Sequence, residues 1–161
     1  MGDRVYLDWN ATAPLRPAAR AAMVAALDAC GNPSSVHGEG RAARRLIEEA
    51  RDEVAALVGA KARNVVFTSG GTEANMMALS PATGTGRNGA GCDHLLVSAI
   101  EHPSVLAGGR FAPASAERVP VNTDGRVDLA ALARRLAALA DAGVRRPLVS
   151  LMLANNETGV V

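Results

Sequence analysis

The sequence predicts an α/β fold, a mostly parallel sheet covered by helices, on three observations. Short apolar runs of strand length alternate with longer stretches whose apolar residues recur at helical spacing. A glycine turn, Thr68-Ser-Gly-Gly-Thr-Glu73, joins one such run to a helical stretch. Polar clusters follow the carboxyl ends of three runs, at Thr68–Glu73, Glu101–Pro103 and Ala154–Gly159, and that edge is where parallel sheets bind ligands.

Taken in order, Val5–Asp8 is strand-like and is broken by Asn10-Ala-Thr-Ala-Pro14. From Pro17 to about Ala29 the chain is alanine-rich with proline in the first turn, which predicts a helix ended by Gly31-Asn-Pro33. A second helix is expected from about Arg41 to Val58, because Ala43, Leu46, Ile47, Ala50, Val54 and Leu57 form one apolar stripe suited to burial. Gly59 closes it.

Val65–Phe67 then reads as a strand, and the glycine turn leads into a helix running through Leu79. Leu95–Ser98 is a further strand, His102–Ala107 a short helix, and Arg118–Val121 a strand that ends in the turn Asn122-Thr-Asp-Gly125. Asp128 can cap a helix whose Leu129, Leu132, Leu136 and Leu139 face one way, and Pro147–Ala154 is a buried strand. Alternation of this kind implies right-handed crossovers and a largely parallel sheet.

Composition narrows the function. With 161 residues, 48% hydrophobic and 20% charged, the chain can bury one sizeable core, and one domain is the default. The 17 basic and 16 acidic residues leave no positive surplus for a nucleic-acid backbone or an anionic membrane, so small-molecule chemistry or protein partners are expected. The polar start argues against a signal peptide, and no apolar run reaches the roughly 20 residues of a membrane span. Cys30 and Cys92 lack the spacing of a zinc site or a disulfide framework, so no metal is expected and a reducing cytoplasm fits.

The glycine turn suits an anion: Gly70 and Gly71 let backbone N–H groups approach, Thr72 adds a hydroxyl, and the helix offers its positive end. A plain glycine-rich connection has the same spelling. Gly84-Thr-Gly-Arg-Asn-Gly89 matches a dinucleotide loop in letters, but its flanks are a helix and then a strand, the wrong order. His102 at the sheet edge can stack on a ring or move protons, and equally can cap the next helix. His37 and His94 stand in a loop and at a strand start. The amides of Asn155 and Asn156 can donate to a phenolate or carboxylate.

Five segments, Tyr6-Leu-Asp-Trp-Asn-Ala-Thr-Ala-Pro14, Gly31-Asn-Pro-Ser-Ser-Val-His37, Val66-Phe-Thr-Ser-Gly-Gly-Thr-Glu73, Glu101-His102 and Asn155-Asn-Glu-Thr-Gly159, resemble cysteine desulfurases in wording and in order. These are pyridoxal-phosphate enzymes of the class V aminotransferase group. The resemblance implies the fold type I architecture, with residues 1–15 an entry segment belonging to a small domain and 16–161 an incomplete cofactor-binding large domain. It also implies conversion of L-cysteine to L-alanine, with sulfur passed as a persulfide to an acceptor such as an iron–sulfur scaffold protein, in a cytoplasmic homodimer. Matching motifs would give Gly71 and Thr72 the cofactor phosphate, His102 the pyridine ring and a part in proton transfer, and Asn156 the ring hydroxyl, with Asn155 its neighbour.

The same resemblance marks what these residues lack. Pyridoxal phosphate needs a lysine amine for covalent attachment, and the only lysine, Lys61, sits in a turn expected at the opposite edge of the sheet. The family's lysine, ring-nitrogen aspartate and persulfide cysteine lie downstream of the Asn-Asn-Glu segment, and Cys30 and Cys92 match none of them. Both cysteines are therefore expected as small buried or semi-buried side chains. The chain is read as a fragment, inactive and poorly folded alone, because its sheet would be left with an uncovered edge and core face. Alternatives are another class V aminotransferase, a selenocysteine lyase, a non-catalytic truncated binding domain, or a dinucleotide-binding domain resting on Gly84–Gly89.

Overall fold

The computed structural model describes residues 4–82 and 91–161, so the Gly84–Gly89 segment lies outside the described residues. The chain divides into two compact units, Met1–Phe67 and Thr68–Val161.

The first unit is helical. Helix α1, Pro17–Leu27, starts on its proline without a side-chain cap, buries no residue and rests on alanine propensity. Helix α2, Gly38–Leu57, begins earlier than the sequence suggests because the His37 Nδ1 accepts a hydrogen bond from the Gly40 N–H at 3.3 Å. Gly59, at φ +66°, follows its end.

Two expectations fail in this unit. The α2 stripe is not a buried one: Leu46, Ile47, Val54 and Leu57 are all exposed, Leu57 by 86%, and only Gly40 and Ala55 of that helix are buried. The stripe has helical spacing, yet no described element covers it. Val5–Asp8 and Val65–Phe67 are not strands either. A strand needs a ladder partner, and Val66 stands 65% exposed without one among the described residues. Instead Arg51 holds this extended segment, its guanidinium donating to the Val65 carbonyl and lying 5.1 Å from the Phe67 ring centroid.

The second unit contains the sheet. Strands β1 (His94–Ser98), β2 (Ala116–Val119) and β3 (Pro147–Ser150) are parallel in the order β2-β1-β3. Central β1 is buried along its whole length, and its side chains alternate between two cores. Leu95 and Val97 pack with Leu79, Val105 and Phe111 on one face. On the other, Leu96 packs with Val119, Leu132 and Leu139. Full burial of a leucine stabilises by roughly 1.5–3 kcal/mol, so this strand, covered on both faces, anchors the unit.

The helices of this unit are α3 (Gly71–Ala78), α4 (Pro103–Leu106) and α5 (Leu129–Asp141). Helix α5 is capped by Asp128, whose Oδ1 accepts from the Ala131 N–H at 2.8 Å as its sequence predicts. Its stripe buries Leu132 and Leu139 and leaves Leu129 69% exposed. Strand β2 ends before the expected Val121 because Pro120 has no N–H for the ladder. Val121 instead pairs with Val127 across a turn in which Asn122 Oδ1 accepts the N–H groups of Asp124 and Arg126, both at 3.0 Å. Strand β3 stops at Ser150, short of Ala154, where its register with β1 runs out at Val97.

Candidate functional site

Because the three strands are parallel, Ser98, Val119 and Ser150 bring their carboxyl ends to one edge. The turn after β1 carries Glu101 and His102, and the loop after β3 carries Asn155 and Asn156. Asn155 fastens the two loops together. Its side chain is buried, its Nδ2 donates to the Ile100 carbonyl at 3.0 Å, and its Oδ1 accepts from the N–H groups of Glu157 and Thr158, both at 2.9 Å. Asn156 is exposed beside it, donating from Nδ2 to Glu157 Oε1 at 2.8 Å.

Glu101 adds a second tie, accepting a hydrogen bond from the Met152 backbone. Its carboxyl is only 7% exposed and its Oε1 has no hydrogen-bond partner. Burial therefore pushes its pKa up, against the smaller opposing effect of the Met152 N–H.

The glycine turn opens onto the same unit. Gly70 is extended at φ 171°, and a Cβ built on either Gly70 or Gly71 meets nothing within 4 Å. Internal packing therefore does not account for glycine at these positions, whereas close approach of a ligand to the backbone would. The first intrahelical bond of α3 runs from the Ala74 N–H to the Gly70 carbonyl, so helix geometry gives the N–H groups of Gly71 and Thr72 no acceptor four residues back. Glu73 turns its carboxylate to the Ser69 N–H at 2.6 Å, which holds its pKa below the usual value. That contact neutralises the donor just outside the helix and leaves those of Gly71 and Thr72 facing outward.

His102 occupies the N-cap of α4: its Nδ1 accepts from the Ser104 N–H at 3.1 Å and lies 2.7 Å from the Ser104 Oγ. The capping role and the edge position coexist, since capping uses Nδ1 and leaves the rest of the exposed ring available. Gly71, Thr72, Asn75, His102 and Ser104 line one open concavity of about 330 Å³. The structure thus gathers Gly71, Thr72 and His102, while Asn156 stands outside that lining on the neighbouring loop. Asn75 and Ser104 were not singled out in the sequence. The available signal was spacing: Asn75 falls three residues after Thr72, on the same face of α3, and Ser104 two after His102.

The other expected residues have surroundings of their own. His94, at the amino end of β1, pairs with Glu117 Oε1 at 2.8 Å. Lys61 is exposed and precedes a single 3₁₀ turn, Ala62–Asn64. Cys92 is part-buried against the first core, but Cys30 is exposed, contrary to the expectation for a small apolar side chain, because α1 and its end bury nothing in their own unit. Among the described residues no group of three or more His, Cys, Asp or Glu is placed to hold a metal ion, and no helix is long and apolar enough to cross a membrane.

Comparison with known proteins identifies the context of this edge. The family model "Aminotransferase class-V" matches residues 5–161. The chain belongs to the class-V aminotransferase family. Among family relatives, a cysteine desulfurase of Frankia sp. (strain EuIK1) is 41% identical, over 98% of this chain and 38% of that protein. A cysteine desulfurase IscS of Dictyoglomus turgidum is 39% identical over all of this chain and 40% of its own length. A selenocysteine lyase of Xenopus laevis is 38% identical with the same coverage. The solved structure of a NifS-like protein from Rickettsia africae superimposes with a TM-score of 0.77 at 34% identity, covering 96% of this chain and 41% of that one. This class-V chain thus spans about 40% of the length of the relatives it matches, and its sheet is an incomplete version of the fold type I architecture.

Proposed function

We propose that this class-V chain supplies the phosphate-binding and ring-contacting part of a pyridoxal-phosphate-dependent cysteine desulfurase. Such an enzyme takes L-cysteine to L-alanine and passes the sulfur as a persulfide to an acceptor protein, an iron–sulfur scaffold being the expected kind. The observation that carries this reading is the single concavity shared by Gly71, Thr72 and His102 in a chain of this family.

The donor set fits a phosphorylated aromatic ring. Two outward N–H groups, a threonine hydroxyl and the positive end of α3 suit a phosphate dianion, and the empty space where a Cβ of Gly70 or Gly71 would stand lets it come close. His102 presents an exposed imidazole across the same concavity for stacking and proton movement, and Asn156 offers its amide for the ring hydroxyl. When bound, the cofactor supplies the electron sink, and these side chains fix its phosphate and ring plane. Covalent attachment and sulfur acceptance need a lysine and a cysteine that these residues do not offer at matching positions. Lys61 is assigned no part in them. Residues 1–15 are read as the entry to a small domain and 16–161 as part of the cofactor-binding domain, in a cytoplasmic homodimer.

The test is binding. Pyridoxal phosphate titrated into the chain should shift its ³¹P resonance, and Thr72→Val should weaken binding about tenfold or more, the effect of one charge-assisted hydrogen bond. His102→Ala should weaken it without moving the ³¹P resonance of the bound form. Binding unaffected by either change would show that the concavity is not the cofactor site. The selenocysteine lyase relatives support a second reading of the same site, and turnover of L-selenocysteine without L-cysteine, by an enzyme carrying this segment, would select it.

A further inference from the structure

We propose that Asn75 and Ser104 are positioning residues for His102, forming a hydrogen-bonded relay that fixes its ring plane and keeps the neutral imidazole as its Nε2–H tautomer. The role of that tautomer toward a cofactor ring rests on the function proposed above. The relay itself does not.

The direction of the relay follows from donor counting. The Asn75 Nδ2 is a donor only, and it lies 2.8 Å from Ser104 Oγ, so the serine oxygen accepts there. A hydroxyl has one hydrogen to give, and with an acceptor role facing Asn75 that hydrogen is directed at His102 Nδ1, 2.7 Å away. The Ser104 N–H points at the same nitrogen from 3.1 Å. A nitrogen that receives two donors carries no proton of its own, so the neutral ring has its hydrogen on Nε2. Two donors from one residue, one of them on the rigid backbone of α4, also hold the ring against rotation about its side-chain bonds. Asn75 sits on α3 directly behind the glycine turn, so the relay links the anion-binding helix to the imidazole across about 330 Å³ of concavity.

The chemical consequence is directional. The imidazole edge turned away from α4 presents an N–H donor, suited to an anionic or carbonyl oxygen.

Histidine ¹⁵N NMR on the whole chain tests this, and only His37, His94 and His102 contribute resonances. In the parent, neutral His102 should show an unprotonated Nδ1 and a protonated Nε2. A ring dominated by Nδ1–H, or an even mixture, overturns the proposal. Asn75→Asp replaces the donor with an acceptor and reverses the serine hydroxyl. The Nε2–H to Nδ1–H ratio should then fall roughly fivefold or more, the worth of one ordinary hydrogen bond. Ser104→Ala should lower the ratio by less, because it removes one donor without offering Nδ1 an acceptor, and Ser104→Thr should restore it. Unchanged ratios in folded Asn75→Asp and Ser104→Ala chains would show that the backbone cap alone sets the tautomer, and the relay would be refuted. Pyridoxal phosphate titrated into the same samples reads the functional proposal separately, since cofactor binding can fail while the tautomer signature holds.

Discussion

Replacing Glu101 with glutamine isolates the energetic consequence of an unpaired buried carboxyl. The side chain is 7% exposed, one oxygen accepts from the Met152 N–H, and the other, Oε1, has nothing to accept from. Burial raises its pKa above the ordinary glutamate value, so between the unfolded and folded values the native chain holds a proton that the unfolded chain has lost. Stability from this group is complete below the unfolded pKa and declines as pH rises through the folded one. An unsatisfied buried acceptor costs about 1–3 kcal/mol, and more when charged. The substituted amide keeps the shape and the oxygen facing Met152 and cannot ionise. Glu101→Gln should therefore gain about 1–3 kcal/mol on the parent at pH 8, and the gain should vanish near pH 4. Urea unfolding followed at the β1 amide resonances reads the second unit, as the only tryptophan, Trp9, belongs to the first. Parallel pH profiles for the two proteins would refute the reasoning.

Two further outcomes test how the site is framed. Gly109 has φ +59°, and a Cβ there would fall 2.1 Å from the Leu79 carbonyl oxygen, at the end of α3. Gly109→Ala should cost more than about 1 kcal/mol from backbone strain and overpacking together, read in the same urea experiment. At the opposite edge, Arg135 donates to Glu117 Oε2 at 2.6 Å and His94 joins the same carboxylate, so its pKa is lowered, chiefly by Arg135. A depressed carboxyl contributes stability above its unfolded pKa and loses it as pH falls through the folded one. Glu117→Gln should cost about 0.5–1 kcal/mol at pH 7, allowing for its partial exposure, and progressively less as pH falls through the depressed folded value. A penalty that persists in acid would place its origin in packing.

The parallel sheet was legible because its signal is local: Leu95 to Val97 is a short, continuous apolar run, and the structure buries it on both faces. The capped start of α5 was legible for the same reason, since Asp128 needs only the N–H three residues ahead. What misled was pattern whose outcome depends on partners. Val65–Phe67 has strand composition and the α2 stripe has helical spacing, but composition does not state which segment will lie alongside, and neither finds cover among the described residues. Strand ends erred for a related reason: β2 stops because Pro120 withholds one hydrogen, and β3 because its neighbour's register ends.

The candidate site was half legible, and the division follows the chemistry proposed for it. Glycine and threonine before a helix advertise an anion site through backbone geometry, which one sequence displays, and His102 was visible as an imidazole at a strand end. The groups that orient it were not visible, because a hydrogen bond spanning 29 residues from Asn75 to Ser104 leaves no mark in local spacing. The two adjacent asparagines show the same limit at closer range. Identical side chains, one residue apart, diverge because only Asn155 turns inward to meet the Ile100 carbonyl. Its neighbour, Asn156, remains exposed on the outer side of the loop, and that division of labour is set by the loop's backbone direction, which residue identity does not encode.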